Sequence, residues 1–410
     1  AALIKSLITF ITTIPERFPV PAFRLRELPS SKPQQPVATG DLIKKAVQLL
    51  RNLMSPEFWG DLDIDLYQKV TEPILAGEKA EKPDEKHITS MVNALQVLRV
   101  LLAAKPDEWV MSRLPLIEKL FEKPLRSDHP EIQDSLHGVE DEMEISPKLP
   151  PPVKRVLDAL PDDQPEEEDA MDVDNSPSEF VTYLSAIATE ALSANNYISG
   201  INILWTLSKK KPAEMDAHIP QVMKTFSQKL AKEHVAAYTS NQFPGQYPQN
   251  VKPAEGVPDQ QEFELGVDLI FKTIELISVR MSHLGEQRRP FLSILAQLVE
   301  RSHNIKLCSK VLGMVETWIF HSTESWPTLK EKTAVLHKML LFESRPDQTM
   351  LKKFLDLVIR IYEDSKITRT ELTVRLEHAF LIGTRAQDVE MRNRFMTIFD
   401  RSLTRMANSR

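Results

Sequence analysis

Few side chains in this sequence have the types and spacing that chemistry requires. His303 and Cys308 lie five positions apart, and an imidazole with a thiolate can bind a metal or act in catalysis. Asp162 and Asp163 are adjacent carboxylates, the groups that acid–base catalysis uses. We predict an exposed turn for His303, a buried helix position for Cys308 and a solvated charge run for the aspartates. The sequence therefore predicts no catalytic, metal-binding or cofactor-binding residue and no cofactor.

Two short basic clusters are the candidates for nucleic-acid contacts. Lys209 to Lys211 are predicted to lie between helices, and Arg288 with Arg289 at the start of one. Surfaces that bind nucleic acid usually carry a basic stripe on a strongly positive domain. The net charge here is −7, and a balance of −10 lies between positions 140 and 174. Because the rest of the chain is close to neutral, we expect no direct contact with nucleic acid.

Three tryptophans differ in their predicted environment. Trp318 lies at helical spacing among apolar residues and is predicted to belong to the core. Trp109 and Trp326 stand next to proline-marked turns, which makes them candidate exposed anchors for a partner.

The motifs of the large enzyme classes are absent from the sequence. It has no glycine-rich phosphate loop, no His-Arg-Asp or Asp-Phe-Gly kinase triplet, no Gly-x-Ser-x-Gly elbow and no His-Glu-x-x-His helix. Glycine is scarce, 11 of 410 residues, which disfavours a glycine-rich barrel or a nucleotide-binding α/β fold. The single cysteine excludes an intramolecular disulfide and fits a reducing compartment.

The start of the chain is apolar, but it is too short to span a bilayer. No later segment is expected to reach that length, so we predict no membrane contact. The first residue is not methionine, and we expect a fragment of a longer protein.

Helical periodicity repeats in the last third of the chain. Helical hairpins are predicted to begin near Glu286, Thr328 and Arg369, about forty residues apart, with no strand pattern between them. Thr328 and Glu331 form a capping-box pattern. A two-helix unit of this length cannot bury its apolar faces alone, so the repetition indicates stacking. The predicted fold class is all-α, an α-solenoid of HEAT-like helical hairpins.

Composition divides the chain into three parts. We predict N-terminal helical repeats over 1–160, a disordered acidic linker over 161–177, and C-terminal HEAT-like repeats over 178–410 with a flexible loop over 239–259. Of the 29 prolines, 17 lie in three stretches outside the periodic segments. Proline has no backbone N–H to give a helix, so these stretches indicate connections.

Three local signals predict helix boundaries. Ser176 is predicted to cap a helix, with Pro177 in the first helical position and Glu179 completing a capping box. Ser176-Pro177 also matches a proline-directed phosphorylation site. Pro115 should break the helix that begins near Asp107, and one long helix is predicted over 260–284.

Several segments of the C-terminal repeats resemble one family. They are Trp326 to Thr333 (WPTLKEKT), Phe354 to Val358 (FLDLV), Glu371 to Leu381 (ELTVRLEHAFL) and Arg392 to Asp400 (RNRFMTIFD), with weaker likeness at Pro115 to Ile117 and Leu136 to Gly138. They resemble the TRRAP (transformation/transcription domain-associated protein) family, the pseudokinase branch of the phosphatidylinositol-kinase-related kinases. These are packing and turn motifs, so they point to a family without identifying a site.

The resemblance implies a slice of a very large HEAT-repeat solenoid that precedes FAT and kinase-like domains without catalytic residues. Members of the family are scaffolds of histone acetyltransferase coactivator complexes of the SAGA and MYST types, and transcription activators contact them. The resemblance thus implies a non-catalytic segment in the nucleus that binds subunits of such complexes and activators. It implies no small-molecule ligand.

Two other functions stay open. One is the regulatory solenoid of an active kinase of the same superfamily, which intact kinase triplets downstream would reveal. The other is a nuclear transport receptor, also a HEAT solenoid, which would retain a small GTPase and no acetyltransferase subunit.

Overall fold

The computed structural model describes residues 2–17, 38–53, 85–138, 149–160, 178–239, 260–321, 326–368 and 370–408. Most of these residues are helical, and no strand occurs among them. The chain divides into two compact units, Ala1–His218 and Ile219–Arg410. The predicted all-α fold is confirmed, and helices that follow one another in sequence pack together within each unit.

The first unit is built from helices of 6 to 20 residues. Those described are α1 (Ala2–Arg17), α2 (Ala38–Leu53), α3 (Glu85–Ala104), α4 (Asp107–Ser112), α5 (Leu114–Arg126), α6 (Pro130–His137), α7 (Pro152–Ala159), α8 (Glu179–Ser193) and α9 (Tyr197–Lys210), with a 3₁₀ helix at Pro212–Ala217. The predicted break at Pro115 is confirmed, because α4 ends at Ser112 and Pro115 lies in the first turn of α5. There its missing N–H removes no intrahelical hydrogen bond.

Helix α3 is the centre of the first unit. Its residues from Thr89 to Leu102 are all buried, and it packs against α1, α2, α6 and α7. The prediction that no later segment reaches membrane length was wrong, because His87–Ala104 in α3 is long and apolar enough to cross a membrane. Because 78% of that window is buried against other helices, a core helix accounts for it.

The predicted cap of α8 was wrong by two residues. Ser178, not Ser176, is the N-cap, and its hydroxyl accepts a hydrogen bond from the backbone N–H of Val181. Valine in the third helical position cannot return a hydrogen bond, so no capping box forms. Ser176 and Pro177 lie outside the described residues.

The second unit is a series of hairpins. Its helices are α10 (Ile219–Thr225), α11 (Ala231–Thr239), α12 (Gln260–Ser278), α13 (Arg288–Arg301), α14 (Ile305–Phe320), α15 (Leu329–Met339), α16 (Thr349–Glu363), α17 (Glu371–Arg375), α18 (Glu377–Thr384) and α19 (Val389–Asn408), with a π-helical turn at Phe226–Leu230 and 3₁₀ helices at Met281–His283, Gly285–Gln287 and Leu340–Ser344. The three predicted hairpins correspond to α13–α14, α15–α16 and α17–α19.

The long helix predicted over 260–284 ends earlier than expected. Helix α12 stops at Ser278, and two 3₁₀ helices carry the chain to α13. Gly285, the first residue of the second of these, has φ of +51°, a conformation that glycine adopts without steric cost. Apolar residues continue past Ser278, and for this reason the periodicity of the sequence predicted a helix that extends to residue 284.

Apolar stripes join the hairpins of the second unit. In α16, Phe354, Val358 and Ile361 form such a stripe, and all three are at 0% exposure. Residues three or four positions apart lie on the same face of a helix, so this stripe faces the neighbouring helices.

Two predicted segments lie outside the described residues. They are the predicted acidic linker over 161–177 and the predicted flexible loop over 239–259, except for Thr239, which ends α11. These boundaries stay predictions.

Candidate interaction surface

His303 and Cys308 lie in the second unit, where both predicted environments are confirmed. His303 is exposed in the turn between α13 and α14, and its ring stacks on Tyr238 at 5.5 Å. Cys308 is 1% exposed, and its Sγ lies 3.5 Å from the carbonyl oxygen of Ser302. Burial raises the pKa of the Cys308 thiol, although Arg345 opposes that rise. Among the described residues, no group of three His, Cys, Asp or Glu side chains can hold a metal ion.

A buried histidine that sequence analysis missed lies beside this pair. His234 on α11 is 6% exposed, and its Nε2 lies 2.9 Å from Oγ of Ser302. Its ring stacks on Phe263 of α12 at 5.4 Å. Burial lowers the pKa of His234 to about 4, so the ring is neutral at physiological pH. The contacts connect α11, α12 and the turn before α14, which gives His234 a packing role.

The two basic clusters are engaged in local contacts. Nζ of Lys209 lies 3.4 Å from the ring centroid of Trp205, and Nζ of Lys210 forms an ion pair with Asp158 at 2.8 Å. The guanidinium of Arg288 lies 3.7 Å from the ring of Trp326. These cations therefore serve the packing of helices as well as solubility.

The exposure of the three tryptophans can be compared with the predicted core and exposed positions. Trp318 is 7% exposed, which confirms its place in the core. Trp326 is 39% exposed beside Arg288, whereas Trp109 is half-buried with Lys105 and Arg113 over its ring. A binding role for either side chain stays a prediction.

Glu331 connects two successive hairpins of the second unit. It forms the predicted capping box with Thr328, which is confirmed, and it also pairs with Arg288 of the preceding hairpin at 3.3 Å. Burial alone would raise the pKa of Glu331, but hydrogen bonds from Thr328 and the charge of Arg288 hold it below its usual value. One carboxylate thus fixes both the start of α15 and its position against α13.

The surface of the second unit carries a series of ion pairs that join α12 to the last helix of the next hairpin and then join the last helices of successive hairpins. Helix α12 is joined to α14, α14 to α16, and α16 to α19. We call this series the ion-pair ladder; its members are Asp268–Lys306 (3.2 Å), Glu275–Lys310 (2.5 Å), Glu316–Arg360, Asp356–Arg394 (3.0 Å) and Glu363–Arg394 (3.3 Å).

The ion-pair ladder has one polarity throughout. In every pair the carboxylate belongs to the earlier helix and the cation to the later one. Aromatic rings of the earlier helix lie under the same cations: Lys306 and Lys310 each lie 4.8 Å from the ring of Phe271, and Arg360 lies 4.9 Å from that of Phe320. Helices α14 and α16 therefore each meet an acid together with an aromatic ring of the preceding helix.

The electrostatics of the ladder are mild because its members are partly exposed. Burial would raise the pKa of Asp268, but Lys272 and Lys306 outweigh it and hold the pKa below its usual value. Exposed pairs contribute about 0–1 kcal/mol each and weaken with salt. The ladder pairs acids and bases of neighbouring helices, so this face is polar and its charges are largely balanced.

Comparison with known proteins matches the sequence of this chain to one family. The profile of the Tra1 HEAT repeat ring region matches residues 2–410. The SAGA complex/NuA4 acetyltransferase complex subunit TRA1 of Saccharomyces cerevisiae is 31% identical over 363 residues, 88% of this chain and 9% of that protein. Its counterpart in Schizosaccharomyces pombe is 30% identical over 376 residues, 92% of this chain and 10% of that protein.

An animal relative is more distant. The transformation/transcription domain-associated protein of Homo sapiens is 24% identical over 393 residues, 90% of this chain and 9% of that protein. The chain thus spans about a tenth of the length of these relatives. An engineered protein among solved structures aligns over 96% of this chain and 98% of its own with 12% identity, and its TM-score of 0.21 is too low to indicate a shared fold.

Proposed function

Because this chain belongs to the family of the Tra1 HEAT repeat ring region, we propose that it is a non-catalytic scaffold segment of a nuclear transcription coactivator, a histone acetyltransferase complex. The observation that carries the proposal is the match over residues 2–410, together with two relatives named as subunits of SAGA and NuA4 acetyltransferase complexes. The segment would bind protein partners through helical surface and would catalyse no reaction.

The contacts of the second unit support a scaffolding role. Successive hairpins are joined both by apolar stripes and by ion pairs that recur from helix to helix. A stack of this kind presents an extended surface whose parts are fixed relative to their neighbours. Such a surface suits docking of several partners more than enclosure of one small substrate.

The docking of transcription activators belongs to the same proposal. An amphipathic activator helix would lie in a groove between repeats, with a few apolar anchors contributing most of the affinity. The paired charges along the ladder would then serve as a polar rim around such anchors.

Affinity purification of the complete protein from nuclear extract, followed by mass spectrometry, tests the proposal. We expect histone acetyltransferase subunits among the co-purifying proteins. Recovery of a small GTPase without those subunits would favour a transport receptor, and phosphoryl transfer by the complete protein would favour an active kinase. Either result, or the absence of acetyltransferase subunits, would contradict the proposed function.

A further inference from the structure

Three consecutive lysines lie at the end of α9 in the first unit. Lys209 and Lys210 are exposed in the last turn of the helix, and Lys211 is the residue that caps it. Nζ of Lys209 lies 3.4 Å from the ring centroid of Trp205, and Nζ of Lys210 lies 2.8 Å from Oδ1 of Asp158. We call Lys209, Lys210 and Lys211 the α9 lysine cluster. It concentrates positive charge at one point of a chain whose net charge is −7.

The acidic linker over 161–177 leaves the first unit beside this cluster. Helix α7 ends one residue after Asp158, whose carboxylate pairs with Lys210. Lys154 lies one turn before Asp158 on the same face of α7 and is half-buried, so it adds a further cation near this point. The last described residue before the linker, Leu160, is therefore close in sequence to a contact with the cluster.

The linker returns to the first unit beside the same cluster. Helices α8 and α9 pack as a hairpin with a turn of three residues, and a Cβ added to Gly200 of α9 would lie 3.4 Å from the carbonyl oxygen of Ala188 on α8. Because the helices run in opposite directions, ten residues after Gly200 and ten before Ala188 bring Lys210 level with Ser178. The axes of packed helices lie about 8–10 Å apart. Both ends of the linker therefore lie within about one helix diameter of the cluster.

The charge of the acidic linker is opposite to that of the cluster. Its 17 residues include eight aspartates and glutamates and no lysine or arginine. A chain of this length spans at most about 60 Å, so every carboxylate is tethered within about 30 Å of one end. Such a tether gives an effective concentration in the millimolar range, which favours pairing even where each ion pair contributes only about 0–1 kcal/mol.

We propose that the acidic linker docks on the α9 lysine cluster and competes there with external polyanions such as the phosphate backbone of nucleic acids. Two observations favour this occupant over a second copy or a separate acidic protein. Both ends of the linker lie beside the cluster, and its eight acids complement the charge of the lysines. A separate partner would bind from solution without the advantage of the tether. The proposal concerns pairing within one chain and does not rest on the proposed function.

Binding of DNA by the complete protein tests the proposal. In the linker variant, each of the eight acids over 161–177 is replaced by its amide, Asp→Asn or Glu→Gln. The probe is a fluorescent DNA duplex of about 20 base pairs, titrated at low salt and followed by anisotropy. If the linker occupies the cluster about nine-tenths of the time, its neutralisation should tighten binding about tenfold. Unchanged binding would overturn the proposal.

Two triple substitutions in the linker variant separate the cluster from overall charge. The first replaces the cluster and should abolish the gain in affinity: Lys209→Gln, Lys210→Gln and Lys211→Gln. The matched control removes the same charge from exposed lysines of the second unit and should leave most of the gain: Lys224→Gln, Lys229→Gln and Lys232→Gln. An equal loss in both triple variants would show that net charge alone sets the affinity, and the proposal would fail.

Zero-length cross-linking identifies the occupant directly in the unsubstituted complete protein. A carbodiimide joins a lysine to a carboxylate in contact with it, and mass spectrometry maps the new amide bonds. We expect bonds from the α9 lysine cluster to acids over 161–177 at low salt, and few at about 1 M salt, where the Debye length is about 3 Å. Predominant bonds from the cluster to another protein or to a second copy, or none to the linker, would contradict the proposal.

Discussion

The two units of this chain differ in the polar contacts that stand out between their helices. In the first unit, polar side chains inside the core bind the ends of other helices: Gln133 is fully buried, and its Nε2 donates to the carbonyl oxygens of Pro124 at 2.9 Å and Ser127 at 2.6 Å. Arg99, 2% exposed, donates to the carbonyl oxygen of Leu149 at 2.6 Å. In the second unit, the polar contacts between hairpins include the partly exposed ion-pair ladder.

The two kinds of contact differ in how regularly they recur along the sequence. The ladder joins equivalent positions of successive hairpins, so acids and bases recur with the period of the repeat. A buried polar contact in the first unit joins one residue to one carbonyl at an irregular separation. Such contacts fix an individual arrangement of helices, because each unpaired buried group would destabilise it.

Substitution of Gly383 tests whether apolar packing dominates in the second unit. A Cβ atom at this position would lie 2.2 Å from the ring of Phe395, which is fully buried and has little space to move. We expect Gly383→Ala to destabilise the last hairpin by about 3 kcal/mol, the upper end of the usual cost of overpacking. Hydrogen exchange of residues 371–408 measures this.

Gly313 is the matched control for that change. It lies in α14 with no atom within 4 Å of an added Cβ, so Gly313→Ala should stabilise the helix by about 1 kcal/mol through helix propensity. Equal effects of the two substitutions would contradict a packing role for Gly383.

The buried polar contacts of the first unit are tested by Gln133→Leu. The substitution keeps the approximate volume but removes the donor that binds the carbonyls at the end of α5, so we expect a loss of about 2 kcal/mol in the stability of the first unit. Chemical denaturation followed by hydrogen exchange of residues 114–137 measures it. Gln260→Leu, at an exposed position at the start of α12, should change stability little. A neutral Gln133→Leu would show that these hydrogen bonds do not hold the unit together.

Acid should weaken the second unit through His234. In the unfolded chain this imidazole has its usual pKa of 6.5, whereas burial lowers it to about 4 in the folded unit. The unfolded state therefore binds more protons between these two values, and stability is lost as the pH falls through that window. From pH 7 to pH 5 we expect the unfolding equilibrium constant of this unit to rise by about twentyfold.

The His234→Gln variant should lose part of that pH dependence while retaining a polar group near Ser302. His303 also has a lowered pKa, from burial and from Arg345, so a residual slope of the same sign is expected. An unchanged slope in the variant would contradict the assignment to His234.

The smallest effect is expected from the ion-pair ladder. Arg360→Glu places a like charge beside Glu316 and should destabilise the α14–α16 contact by about 1 kcal/mol, less at high salt. The exchange Glu316→Arg with Arg360→Glu should restore most of that loss. If the double variant is as unstable as the single one, the polarity of the ladder matters more than the pairing itself.

Sequence patterns predicted the second unit better than the first for physical reasons. The capping box of Thr328 and Glu331 and the apolar stripe around Phe354 are local signals, since partners lie within one or two turns. The cap of α8 at Ser178 was missed because both Ser176 and Ser178 have a side chain that can cap a helix. The π-helical turn at Phe226–Leu230 was missed because no local sequence pattern indicates it. His234 and the ladder cations could not be identified because their partners lie in other helices.

Cross-linking mass spectrometry of complexes purified from nuclei tests the central claim most directly. Lys224, Lys232 and Lys353 are exposed lysines of the second unit that a lysine-reactive reagent can reach. The scaffold account predicts cross-links from such lysines to several different subunits of a histone acetyltransferase complex. Cross-links confined to this polypeptide, or to a small GTPase alone, would contradict it.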